Sequence, residues 1–220
     1  MDFLLCVCLL QLMFLSCSPV AAQQPTPPAA RALDAKLQEY AYRALLRPRT
    51  GIVYNATVPG LAGVSASALR LRSGSLRRKG LSQYFQFGLP TGVIAQPRVE
   101  RIVLVYHNLR NWSQHYYPPP PGYTYLSPVL GLLAYDAANL SAVGLPELNI
   151  VASGSPILVH FSNVRAAPAG GPAPRCVHKR AKKLEVMERN SEVGETLRMA
   201  QSSTITNNAG RQGICPSAGC

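Results

Sequence analysis

Along "RALDAKLQEYAYRALLR" apolar side chains recur three and four residues apart: Leu33, Leu37, Tyr40 and Ala44 share one stripe, with Lys36, Gln38, Glu39 and Arg43 largely off it. That spacing predicts a helix with one buried face. Pro48 ends it, because proline lacks the N–H that the next turn needs. From Gly51 the texture changes to short runs separated by Gly, Pro, Asn and Ser. In "SALRLRSGSLRR", Leu69 and Leu71 alternate with Arg70 and Arg72, which predicts a strand with one basic face, broken at Ser73-Gly74-Ser75 as in a hairpin. "QYFQF" predicts another short strand. In "RVERIVLVYHNL" both parities are apolar, Ile102 and Leu104 on one face and Val103 and Val105 on the other, as a central strand covered on both sides requires. "YYPPPPGYTY" reads as a polyproline segment rimmed by tyrosines and unfit for a sheet interior. "VLGLLAY" is a further strand, and "LNIVASGSPILVHF" a hairpin turning at Ser153-Gly154-Ser155-Pro156. Strands at this spacing behind one helix predict a mainly β fold: an antiparallel β-sandwich or open barrel with one leading α-helix.

The ends of the chain read differently. "MDFLLCVCLLQLMFLSCSPVAA" is an apolar run closed by the small residues Val20-Ala21-Ala22, so residues 1–22 are expected to be a cleaved signal peptide. Residues 23–30 form a Pro-rich linker, 31–165 the β-rich domain with its helix, and 166–178 a Pro/Gly/Ala-rich exit. Residues 179–201 are expected to be a basic, frayed helix and 202–220 disordered. Cleavage would remove Cys6, Cys8 and Cys17 and leave Cys176, Cys215 and Cys220, an odd set without metal-binding spacing. A disulfide at Cys176 is expected, within a framework that is incomplete in this chain.

Asn55-Ala56-Thr57, Asn111-Trp112-Ser113 and Asn139-Leu140-Ser141 each meet the rule for N-glycosylation. Behind a signal peptide these triplets support one another and predict passage through the secretory pathway. Net charge is +12, and no acidic residue lies between Glu39 and Glu100. Arg70, Arg72, Arg77, Arg78 and Lys79 within that span are the candidate contacts for a polyanion. Outside a cell the available polyanions are acidic polysaccharides and lipid head groups; acidic polysaccharide is the expected partner, and nucleic acid is not expected. The same charges also suit a solvated surface that serves solubility.

No catalytic constellation emerges: there is no G-x-S-x-G, no H-E-x-x-H and no phosphate-cradling loop. No cofactor or metal is expected. His107, His115 and His160 read as structural histidines. Trp112 and the tyrosines around the polyproline segment could stack on sugars or pack on prolines, and a glycan on Asn111 would favour packing.

In "LQEYAYRALLRPRTGIVYNATVP", "VERIVLVYHNLRNWS", "YYPPPPGYTYLSPVLGLLAYDAANLSA" and "LPELNIVASGSPILVHFSNV" the chain resembles plant domain-of-unknown-function family 1191, single-pass membrane proteins without an assigned activity. The resemblance runs from about Leu33 to Cys176. It implies a signal peptide, an ectodomain continuing past Cys176 with further cysteines, one transmembrane helix and a cytosolic tail, hence plasma membrane for relatives that carry the helix. Here the tail-like "KRAKKLEVMERN" follows Cys176 almost at once. The end of the ectodomain and the transmembrane helix are therefore expected to be missing, and Cys176 to have lost any partner there.

These readings converge on a non-enzymatic secretory-pathway or cell-surface plant protein, extracellular or luminal, whose glycosylated β-rich domain contacts acidic cell-wall polysaccharide. The alternatives are a carbohydrate-active enzyme and, in the full-length form, a membrane-anchored adaptor. The enzyme would need two carboxylates across a cleft, and the domain offers Asp34, Glu39, Glu100, Asp136 and Glu147.

Overall fold

The computed structural model describes residues 28–162, 164–166, 174–180, 183–187 and 201–207. Helix α1 spans Pro28–Ala44. Pro28 stands in its first turn, where a missing N–H costs nothing. The helix therefore begins inside the segment expected to be linker, and Ala30 is already buried. Leu33, Leu37, Ala41 and Tyr42 form its buried stripe, while Tyr40 and Ala44 pack at its margin. Gln38, expected off the stripe, is also buried. Its amide nitrogen donates to the Ala142 carbonyl (3.0 Å) and its amide oxygen accepts from the Gly144 N–H (2.8 Å), so both polar ends are satisfied.

Among the described residues the strands are β1 (Val53–Ala56), β2 (Ser65–Arg72), β3 (Leu81–Tyr84), β4 (Phe87–Leu89), β5 (Val93–Gln96), β6 (Arg101–Asn108), β7 (Tyr123–Tyr125), β8 (Leu130–Asp136), β9 (Asn149–Ala152), β10 (Leu158–Val159), β11 (Arg175–Arg180), β12 (Lys183–Met187) and β13 (Gln201–Asn207). Two further helices are α2 (Ser73–Lys79) and the single turn α3 (Ser113–Tyr116), the latter preceded by a 3-10 turn at Arg110–Trp112. The main sheet runs β1-β2-β6-β8-β13-β11-β12, with β7 also paired to β13, and every pairing is antiparallel. It is open, with β1 at one edge. One face carries Val103, Val105, Leu133 and Tyr135 against α1. The other carries Ile102, Leu104, Leu132 and Ala134 against a second β layer made of β10-β4-β3 and β5-β9. Three layers explain why β6 is apolar on both parities: residues 102–107 are all buried.

Several sequence expectations need correction. Ser73-Gly74-Ser75 opens α2 instead of turning a hairpin, since Leu76 two residues past the glycine anchors a helical turn in the second core. "QYFQF" holds a two-residue turn at Phe85–Gln86 between β3 and β4 rather than one strand. The residues on either side of Ser153–Pro156 do not pair with each other. β9 pairs with β5 and β10 with β4, because each carries apolar residues that the second layer buries. Tyr123–Tyr125 leaves the polyproline segment as a strand along β13.

The segment expected to be a basic helix and a disordered end contains β12 and β13. Its sequence carries period-two signals that its charge obscures: Leu184 and Val186 alternate with Lys183 and Glu185, and Thr204-Ile205-Thr206 is β-branched. The expected signal peptide lies outside the described residues. None of the described helices is long and apolar enough to cross a membrane.

Candidate polyanion-contact site

The basic segment gathers on one short, tightly held element. Arg72 ends β2, and Arg77, Arg78 and Lys79 occupy the last turn of α2, all four exposed. Leu76 fastens the helix to the second core. The Ser73 N–H donates to the Glu100 carbonyl (3.0 Å), the Gly80 N–H to the Leu76 carbonyl (2.8 Å), and the Gly92 N–H to the Arg77 carbonyl (2.7 Å). Both glycines are dictated by space and backbone. Gly80 has φ +63, and a Cβ there would lie 2.5 Å from the Leu89 carbonyl oxygen. Gly92 has φ +87, and its Cβ would lie 2.7 Å from the Ser153 carbonyl oxygen. The Ser153 hydroxyl completes the clamp by donating to the Gly92 carbonyl (3.0 Å).

None of these four cations forms an ion pair among the described residues; the ion pair that does form joins Arg43 to Glu39 on α1. Cations in the last turn complement the negative end of a helix, which accounts for part of their placement. Arg70 differs. It is only partly exposed, its Nη2 donates to the Ala137 carbonyl (3.3 Å), and its Nε is buried without a hydrogen bond. It is tied to the end of β8 and is not displayed with the others.

The three sequon asparagines are exposed. Asn55 lies on edge strand β1, and its Oδ1 accepts from the Ser67 hydroxyl (2.9 Å). At Asn139 the Oδ1 accepts from the Ser141 N–H (2.9 Å). A backbone N–H can only donate, so that bond leaves the Asn139 nitrogen, the atom a glycan would occupy, outside it. Asn111 lies in the 3-10 turn, and Ser113 of its sequon is buried, accepting from the Val129 N–H (2.9 Å). The strand register puts Asn139, which follows β8, at the same end of the sheet as α2, and Asn55 and Asn111 at the other.

The remaining candidates are dispersed. Trp112 donates its indole N–H to the Ala62 carbonyl (2.9 Å) and packs near Tyr116 with ring centroids 6.2 Å apart. Tyr117 and Tyr125 are buried. These contacts fit packing. His107 is buried in β6, while His115 and His160 are exposed on separate elements. Of the carboxylates, Asp34 accepts from the Tyr117 hydroxyl (3.3 Å), Glu39 pairs with Arg43, and Asp136 caps the Ala138 N–H (3.0 Å). Among the described residues no group of His, Cys, Asp or Glu is gathered to hold a metal ion.

Cys176 is disulfide-bonded. Its partner lies outside the described residues. β11 pairs with β12 and β13, and Val177 next to this cysteine is buried in the α1 core. Residues 28–201 match the family described as "Protein of unknown function (DUF1191)". The chain belongs to this family. The DUF1191 match takes in every layer of the fold, including α1, α2 and both core clusters, and it continues past Cys176 to Gln201. No curated protein and no solved structure matches the chain.

Sequence reasoning missed the glycine clamp. Gly80 directly after "RRK" is a helix C-cap signal that would have found α2. Nothing local marks Gly92, whose partner in space is Ser153.

Proposed function

We propose that this DUF1191 chain is a non-enzymatic glycoprotein of the plant secretory pathway that contacts acidic cell-wall polysaccharide through Arg72, Arg77, Arg78 and Lys79. The observation that carries the reading is the conjunction at α2 and the residue before it: four exposed cations without a carboxylate partner among the described residues, beside a backbone fixed by Gly80 and Gly92. A charged surface meant only for solubility needs no fixed backbone beneath it, whereas a contact surface gains from one, because less conformational entropy is lost on binding. The disulfide at Cys176 suits an oxidising compartment. The exposed Asn55, Asn111 and Asn139 suit glycan attachment there.

Electrostatic contact with a polyuronide is salt-sensitive, since ions screen it over about 10 Å at 0.1 M. The test is retention of the purified protein on de-esterified pectin across a salt series, with hydrolysis of the same material followed in parallel. Retention that falls with salt, without product release, supports the reading. Reducing ends appearing at an enzymatic rate would replace it with the carbohydrate-active alternative.

A further inference from the structure

Among the described residues, three non-glycine positions have left-handed backbone: Arg47, Phe85 and Arg110. One of them, Phe85, packs on Tyr106 of β6, and another, Arg110, stands two residues past the end of that strand. Phe85 has φ 53 and opens the two-residue turn between Tyr84 and Phe87, a place where glycine would be unstrained. The strain does not serve to bury the ring. Phe85 remains 42% exposed, lying flat on Tyr106 with centroids 4.2 Å apart and planes 16° apart, and Tyr84 leans on it at 5.2 Å. The result is a rigid aromatic surface that faces water.

Polar groups surround it. The Tyr106 hydroxyl donates to Gln86 Oε1 (2.6 Å), and Gln86 Nε2 donates to the Ser162 hydroxyl (3.4 Å). Burial pushes the Tyr106 phenol up, while a hydrogen bond with the Asn108 side chain and the positive charge of Arg110 oppose that rise. Arg110 has φ 45, and its N–H is held by Asn108 Oδ1 (3.0 Å). It is exposed and forms no ion pair among the described residues. Strain that persists at exposed residues is characteristic of ligand clamps. An aromatic face with carboxamides and one guanidinium matches a sugar ring that bears a carboxylate: C–H groups for the face, hydroxyls for the amides, the carboxylate for arginine.

We infer that Phe85, Gln86, Asn108 and Arg110 form a subsite for one acidic sugar residue, stacked on Phe85 with its carboxylate on Arg110. The inference rests on the reading of an acidic saccharide ligand given above, but on different residues. The length of β3 separates the subsite from α2, so that one polysaccharide chain can span roughly 13 Å to touch both.

The test uses the whole protein with Arg72, Arg77, Arg78 and Lys79 changed to Gln, so that α2 contributes nothing. It is titrated with trigalacturonate and, separately, with an uncharged galactose trimer, read by saturation transfer and amide shifts in NMR. Transfer from aromatic protons to trigalacturonate is expected. Phe85→Gly, which removes the ring and relieves the turn, should bind about tenfold more weakly, the usual loss of an anchoring aromatic. Phe85→Tyr should bind as its background does. Arg110→Gln, which leaves the turn untouched, should erase the preference for the acidic trimer. Unchanged affinity in Phe85→Gly or an unchanged preference in Arg110→Gln overturns the subsite. So does absence of transfer while the unmodified protein is still retained on pectin, an outcome that leaves the α2 reading standing. Transfer to trigalacturonate with pectin retention indifferent to the α2 changes would sink the α2 reading alone.

Discussion

The Gly92 N–H donates to the Arg77 carbonyl at 2.7 Å, fastening the basic turn of α2 to the residue that leads into β5. Gly92→Ala would place an L side chain at φ +87 with its Cβ 2.7 Å from the Ser153 carbonyl oxygen. The left-handed backbone and the clash together should cost about 2–4 kcal/mol. Urea unfolding measures this directly. The same variant should be retained less well on pectin than its residual folded fraction explains, because the cations would no longer be fixed. Parent-like stability would show that the clamp does not hold.

Five tyrosines link stability to alkaline pH. Burial, the largest cause in each case, raises the phenols of Tyr42, Tyr84, Tyr106, Tyr125 and Tyr135 above their ordinary value near 10. Tyr84 also donates to the Ser67 and Leu104 carbonyls (3.1 and 3.3 Å), and Tyr42 to that of Asp136 (2.6 Å), bonds that need the proton. Below about pH 10 these phenols are protonated folded or unfolded and contribute no slope. Above it the unfolded chain binds fewer protons than the folded one, so stability falls as pH rises. Phenolate absorbance should therefore have a component that appears together with loss of the far-UV signal. If all ten tyrosines ionise near pH 10 with the fold intact, the burial is wrong.

Gln38 pins the loop after β8 to α1 through Ala142 and Gly144. Gln38→Leu keeps the volume but leaves the Gly144 N–H without its acceptor, at a cost of about 1–3 kcal/mol. Hydrogen exchange at Gly144 should accelerate more than at residues of β6. Equal protection in both proteins would refute the tie.

How much of this was legible follows from where each constraint lies. β6 was read correctly because its demand is local: alternating positions that are all apolar need two covering layers, and the clusters on its two faces supply them. The stripe of α1 was visible, but Gln38 was misread because its partners are more than a hundred residues away in sequence. The candidate basic residues were found by charge alone. Only the fold separated Arg70, tied to Ala137, from the four that face water. Phe85 gave no signal, since "QYFQF" alternates like a strand and a left-handed φ at phenylalanine is set by tertiary contact with Tyr106. β12 and β13 were hidden by charge and polarity that resemble those of a solvated tail.

Glycan attachment is a further expected outcome. Expressed through a secretory pathway, the protein should lose mass in three steps when Asn55, Asn111 and Asn139 are changed to Gln one after another, and the triple variant should no longer respond to an N-glycosidase. Absence of any shift in the parent would contradict secretory entry.

On the proposed reading, position rather than net charge makes α2 a contact surface. The deciding measurement compares pectin retention at low salt for two variants that each remove four exposed cations. One changes Arg72, Arg77, Arg78 and Lys79 to Gln; the other changes Arg31, Lys36, Arg47 and Arg98. The first should lose most of its retention and most of its salt dependence, while the second stays close to the parent. Equal loss in both would contradict that reading, reducing the basic turn to one part of a generally positive surface.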